Sequence, residues 1–130
     1  MAMSLIKPFV GTTEWRRSRV YSGGMTTTEN KRLVLEHYEA FVERQDADAV
    51  RRQLAADFRD HDMPPGIPSG PEGALQYRSM LHQAFPDLRV KVEDIVAEED
   101  RVAVRARWTG THRGSFPGMP VPPTGRQFSF

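Results

Sequence analysis

The chain has 130 residues, 38% of them hydrophobic and 27% charged, the composition of one soluble globular domain. The absence of cysteine excludes disulfides, thiolate zinc sites, iron–sulfur clusters and a cysteine nucleophile, and it fits a reducing, cytoplasmic location. The net charge of +1 divides into +3 over residues 1–25, −7 over 26–100 and +5 over 101–130, which points to pairing within the chain or across a homodimer and away from a nucleic-acid surface.

Residues 1–25 lack sustained periodicity and end in Ser22-Gly23-Gly24, so they read as a flexible N-terminal extension. Thr26 and Glu29 have capping-box spacing, and a helix should follow with Leu33, Val34, His37, Tyr38, Phe41 and Val42 on one face. Asp46 or Asp48 can cap a second short helix ending near Ala56. Phe58 to Met63 reads as a brief extended run, and Pro64 to Pro71 is a loop. Pro71 suits the first turn of a third helix, with Ala74, Tyr77, Leu81 and Phe85 on its face and Pro86 as its stop. From Leu88 the period becomes two. Leu88 to Trp108 reads as a long antiparallel hairpin, turning at Glu98 to Arg101 and bulged near Glu93-Asp94, where Ile95 falls out of phase. Gln127 to Phe130 begins a further strand. Helices followed by bent antiparallel strands make an α+β domain with the helices on one face of the sheet. No apolar run approaches the ~18 residues that a bilayer span requires, so no membrane partner is expected.

Five short segments occur in an order that resembles the SnoaL-like polyketide cyclases, also called ester cyclases, of the NTF2-like superfamily. They are Asp57-Phe58-Arg59-Asp60-His61-Asp62, Gly70-Pro71-Glu72-Gly73, Ala84-Phe85-Pro86-Asp87-Leu88, Thr109-Gly110-Thr111-His112-Arg113-Gly114 and Pro123-Thr124-Gly125-Arg126. The resemblance covers residues 26–130. It implies an NTF2-like cone, a curved antiparallel sheet packed by two to three N-terminal helices, commonly dimeric. It also implies intramolecular aldol ring closure of a polyketide ester, or related lyase- or isomerase-type proton transfer, with no metal or organic cofactor. The family's catalytic aspartate lies on a strand after the position of Phe130, so the domain is expected to stop short of the family pattern. The other reading is a non-catalytic small-molecule-binding or dimerisation module of the same fold.

Such chemistry requires a base for the α-proton, a donor for the enolate oxygen and an apolar cavity. The resemblance makes His112 a pocket donor or acid/base partner; it faces inward only if strand alternation survives Gly110. His61, with Asp60 and Asp62 beside it, is the next candidate, and His112, His61 and Asp62 are the expected catalytic set. Alternation would turn His61 to one side and Asp60 and Asp62 to the other. Tyr38, Phe41, Phe58, Tyr77, Met80, Phe85 and Trp108 would line a pocket for an apolar or aromatic small molecule, or simply form the core. His37 is expected in the core or pocket wall and His82 at the surface. No spacing fixes a metal site, and Ser69 and Ser115 lie in no nucleophile-elbow context.

Overall fold

The computed structural model describes residues 3–6, 26–118 and 120–129. The first helix, α1 (Thr27–Tyr38), opens with the expected capping box: the Glu29 amide donates to Thr26 Oγ1 at 3.2 Å and the Thr26 amide donates to Glu29 Oε2 at 2.6 Å. Val34, His37 and Tyr38 are buried along its face. The apolar stripe continues past Tyr38, but the winding loosens into a π turn over Glu39–Glu43, closed by the Arg44 amide on the Glu39 carbonyl at 2.9 Å. This wider turn keeps Ala40, Phe41 and Val42 buried.

Asp46, not Asp48, caps α2 (Ala47–Gln53), accepting from the Ala49 amide at 2.9 Å. Phe58 to Met63 is not a strand. Asp60 Oδ1 accepts the Asp62 amide at 2.9 Å and folds the segment into a local turn. The proline-rich loop then delivers Gly70, with φ +89°, to α3 (Pro71–Ala84). Pro71 occupies the first helical position, where its missing N–H costs nothing.

Two strands form the expected hairpin, β2 (Arg89–Glu98) and β3 (Arg101–Thr111), with the register shifting between Val92 and Asp94 at the anticipated bulge. The shift restores Ile95 to the inner face opposite Val104, so Val90, Val92, Ile95 and Ala97 can pack with Val102, Val104 and Ala106. On the other face Glu93 pairs with Arg107, one of the basic residues of 101–130, at 2.8 Å.

Strand β4 (Gln127–Ser129) pairs with β3 through Thr109–Thr111, and β1 (Met3–Ile6) pairs along the same edge through Val102–Arg105. The latter pairing is a long-range contact that the local patterning of the N-terminal segment does not encode. The remainder of that segment, including its glycine pair, lies outside the described residues. The result is an α+β domain with α1 packed on the β2–β3 face. Among the described residues no helix is long and apolar enough to cross a membrane.

Candidate active site

Strand alternation carries the inner face of β3 through Trp108 and Gly110 to His112. Gly110 is buried and closely packed: a β-carbon there would lie 3.2 Å from the Phe128 ring and 3.4 Å from Phe85. His112 is consequently only 6% exposed, its ring 5.6 Å from that of Phe85. Its backbone is fixed on both sides, the amide donating to the Arg126 carbonyl at 3.0 Å and the carbonyl accepting from Gly125 at 2.8 Å. The Thr124 amide lies 3.4 Å from His112 Nδ1 and points its hydrogen at it. With Nδ1 accepting from that amide, the tautomer that fits the contact carries its proton on Nε2. Nε2 is buried and has no hydrogen-bond partner among the described residues.

The aromatic rings form two clusters, one of which includes this histidine through Phe85. Phe85 is the hub of the first, with Phe128 at 4.7 Å, Phe116 at 6.4 Å and, beyond Phe116, Tyr77 at 6.2 Å. The second joins Tyr38 of α1 to Trp108 of β3, edge to face at 6.0 Å. Phe41 is buried in the core and packs on His37 at 5.4 Å. Phe58 and Met80 are half-buried, Phe58 against the core. The ring types were therefore readable in advance, whereas the partners of Phe85 were not, since Phe116 and Phe128 come from the final loop and strand.

His61 and Asp62 are exposed. His61 lines a groove of about 280 Å³ together with Arg59, Asp60, Met63, Ile67 and the loop prolines. Asp60 has a solvent-facing surface, yet enough protein surrounds it that desolvation raises its carboxyl pKa, with the neighbouring Asp62 charge adding to the rise. The Asp62 amide and the His61 charge oppose that shift. Burial, assisted by the Asp60 charge, pushes the Tyr38 hydroxyl up to about 12. Burial also raises Tyr77, with contributions from Asp60 and Asp62. Asp60 thus contributes to the shifts of both Tyr38 and Tyr77. Alternation could not place its neighbours, because the segment turns where an extended run was assumed.

His82 corrects another expectation. It is half-buried, with Nε2 3.1 Å from the Val42 carbonyl in the π turn and Nδ1 3.0 Å from the Arg78 carbonyl. It therefore ties α3 to the π turn and stands apart from His112 and His61. Among the described residues no group of three or more histidines and carboxylates could hold a metal ion.

The end of β3 is held by Asp87, whose Oδ1 and Oδ2 accept the Thr111 amide and hydroxyl, each at 2.7 Å. The Thr111 hydroxyl, then its amide, holds the Asp87 carboxyl below the usual range. The Arg113 and Gly114 amides both donate to the Ala84 carbonyl, at 2.9 and 3.0 Å, docking the same segment on the end of α3. Asp87→Ala strands two donors of Thr111, a residue only 9% exposed, and should lower stability in urea unfolding more than Thr111→Val does. Thr111→Val, which keeps the amide bond, should cost about 1 kcal/mol.

The sequence profile of the SnoaL-like polyketide cyclases matches residues 32–130. The chain belongs to the SnoaL-like polyketide cyclase family. A SnoaL-like cyclase assignment from Jannaschia sp. CCS1 has a solved structure 32% identical to this chain, with a TM-score of 0.68 over 85% of this chain and 76% of its own. IdmH from Streptomyces antibioticus, assigned as a polyketide cyclase, is 37% identical with a TM-score of 0.59, covering 75% of this chain and 74% of its own. AclR from Streptomyces galilaeus, assigned as a hydroxylase, is 33% identical with a TM-score of 0.61, covering 80% and 63%. Comparison with curated proteins gives no match. The SnoaL-like membership and these neighbours bear out the NTF2-like α+β fold expected from the sequence.

Proposed function

We propose that this protein carries out cofactor-independent acid/base chemistry on an apolar, carbonyl-bearing small molecule, with intramolecular aldol ring closure of a polyketide ester as its reaction. The observation that carries the reading is the buried, unpartnered Nε2 of His112 among aromatic rings. A buried donor left unmade costs about 1–3 kcal/mol, which a substrate carbonyl oxygen would recover. The demand on such a donor grows as charge develops on that oxygen.

In the reaction, a base breaks the C–H bond next to one carbonyl, and the electron pair moves onto its oxygen as an enolate. The enolate carbon attacks a second carbonyl of the same molecule, forming the ring bond, and the new alkoxide takes a proton back. Atoms and electrons balance without oxidant or reductant. His112 supplies the enolate donor, and the segment holding His61 and Asp62 supplies acid/base and substrate contacts. Tyr77, Phe116 and Trp108, all half-buried, offer flat surfaces to the substrate body. Membership of the cyclase family and the polyketide cyclase assignment of IdmH support this choice over the hydroxylase assignment of AclR.

Binding is tested by tryptophan fluorescence with anthraquinone-type polyketide esters, steroids and terpene epoxides, in a Trp15→Phe background so that Trp108 alone reports. Saturable quenching by the polyketide esters is expected, followed by turnover. His112→Phe should lower turnover on the order of 100-fold, and His112→Gln, which keeps an N–H donor, should lower it less. Binding without turnover by the unaltered chain would favour the non-catalytic binding module. No binding by any of the three classes would reject the small-molecule reading.

A further inference from the structure

We propose that Phe116 is the gate to His112: its ring closes the aromatic cluster that seals Nε2, and it swings aside to admit a flat substrate. The proposal rests on the acid/base reading above, in which a substrate oxygen comes within hydrogen-bond distance of Nε2.

That reading sets a problem of access. Nε2 is buried and His112 as a whole is only 6% exposed, so part of its surroundings must move before a substrate can meet it. Most of those surroundings are fastened. The His112 backbone is bonded on both sides, to Arg126 and to Gly125. Phe85, the ring in contact with His112, is buried at the end of α3. Its amide donates to the Leu81 carbonyl at 2.8 Å and its carbonyl accepts from Leu88 at 3.0 Å. Phe128 belongs to β4 and lies opposite Gly110 in the ladder.

Phe116 differs from both. The Gly114 amide, on the Ala84 carbonyl, is the last anchor before it, and among the described residues no backbone hydrogen bond holds residues 115–118. Ser115, Pro117 and Gly118 are exposed, whereas Phe116 is half-buried against the core. Its ring lies between two others, 6.2 Å from Tyr77 at 74° and 6.4 Å from Phe85 at 33°. Displacing it therefore breaks apolar contacts and leaves the helices and the sheet intact. Half the burial of one phenylalanine is a small free energy, which sets the open form at on the order of one molecule in ten to one in a hundred. The gap so formed is bounded by one ring edge-on and one tilted, a shape that selects a planar, unsaturated body over a bulky saturated one. With that body in place Phe116 can return against its outer face, so the ring that shuts the empty site becomes a wall of the filled one.

The test reads access without any ligand. Diethyl pyrocarbonate acylates imidazole nitrogens, and its rate at each of the 4 histidines is followed at pH 7 by mass spectrometry of the peptides. Exposed His61 gives the rate of an open ring, and His37, 9% exposed and packed on Phe41, reports any general loosening of the fold. In the unaltered chain His112 should react far more slowly than His61. Phe116→Ala should raise the His112 rate relative to His37 by about tenfold or more, and Tyr77→Ala, which removes one of the two rings that hold the gate, should raise it in the same direction. Phe116→Leu, which keeps an apolar plug, should raise it less. A variant that merely loosens the fold speeds both histidines together and leaves their ratio where it was. An unchanged ratio in Phe116→Ala, or a His112 as reactive as His61 in the unaltered chain, would show that Phe116 is not the gate, with the acid/base reading still judged by its own binding assay. A raised ratio in a chain that binds none of the three ligand classes would keep the gate and reject that reading.

Discussion

Gly73→Ala is expected to destabilise the protein by about 3 kcal/mol, although alanine is the better helix former by about 1 kcal/mol. Gly73 sits in the first turn of α3, where the proline-rich loop folds back onto the helix. A β-carbon there would fall on the Pro68 carbonyl oxygen and lie 2.8 Å from the carbonyl carbon. The obstacle is backbone, so no rotamer change relieves it. The loop would have to move, and with it Ile67, Pro68 and Ser69 on the groove wall. Gly66 in the same loop provides the comparison. Its φ of +92° disfavours a side chain, but nothing lies within 4 Å of the added carbon. Gly66→Ala should cost only about 1 kcal/mol, the penalty for a left-handed backbone. Urea unfolding of the two variants separates the effects: equal losses would mean that the Pro68 contact does not constrain the loop.

The Gly70-Pro71-Glu72-Gly73 run was legible as the start of a helix, but the reason for its second glycine was not. The first follows from local chemistry, whereas the second depends on a carbonyl that the loop brings back. The same division holds elsewhere. The cap of α2 was narrowed to Asp46 or Asp48, and the Thr26/Glu29 box and the bulge before Ile95 are specified within a few residues and could be read from spacing. The π turn could not, because the periodicity of Phe41 and Val42 continues through it. Its anchor, His82, arrives from a helix 40 residues away. The strand at Met3–Ile6 likewise depends on the edge of β3. At the site, the inward direction of His112 was readable once Gly110 was recognised as part of the strand. The Phe58 to Met63 segment was read as extended because one bond, from the Asp62 amide to Asp60 Oδ1, converts an apparent strand into a turn.

Lowering the pH from 7.5 to 5 is expected to remove about 2 kcal/mol of stability through His37 alone. This histidine is 9% exposed, packed on Phe41, with Nδ1 3.0 Å from Gln53 Oε1. Burial disfavours the charged ring and lowers its pKa from 6.5 to about 4, against a smaller opposing effect of the Gln53 bond. The folded value is depressed, so the unfolded chain binds the proton more readily. Stability is then complete above about 6.5, falls as the pH drops through that value, and levels off below about 4. The carboxylates held low in the fold, Asp87 and Asp46 among them, lose their contribution in the acid range of carboxyl titration, below most of the His37 window. His37→Gln, which preserves a polar partner for Gln53, should flatten the stability profile between pH 7.5 and 5, whatever it costs at neutral pH. Urea unfolding at half-unit intervals measures both profiles. An undiminished slope in His37→Gln would assign the acid sensitivity to another group, while a flat profile in the unaltered chain would show that the buried ring accepts its proton without penalty.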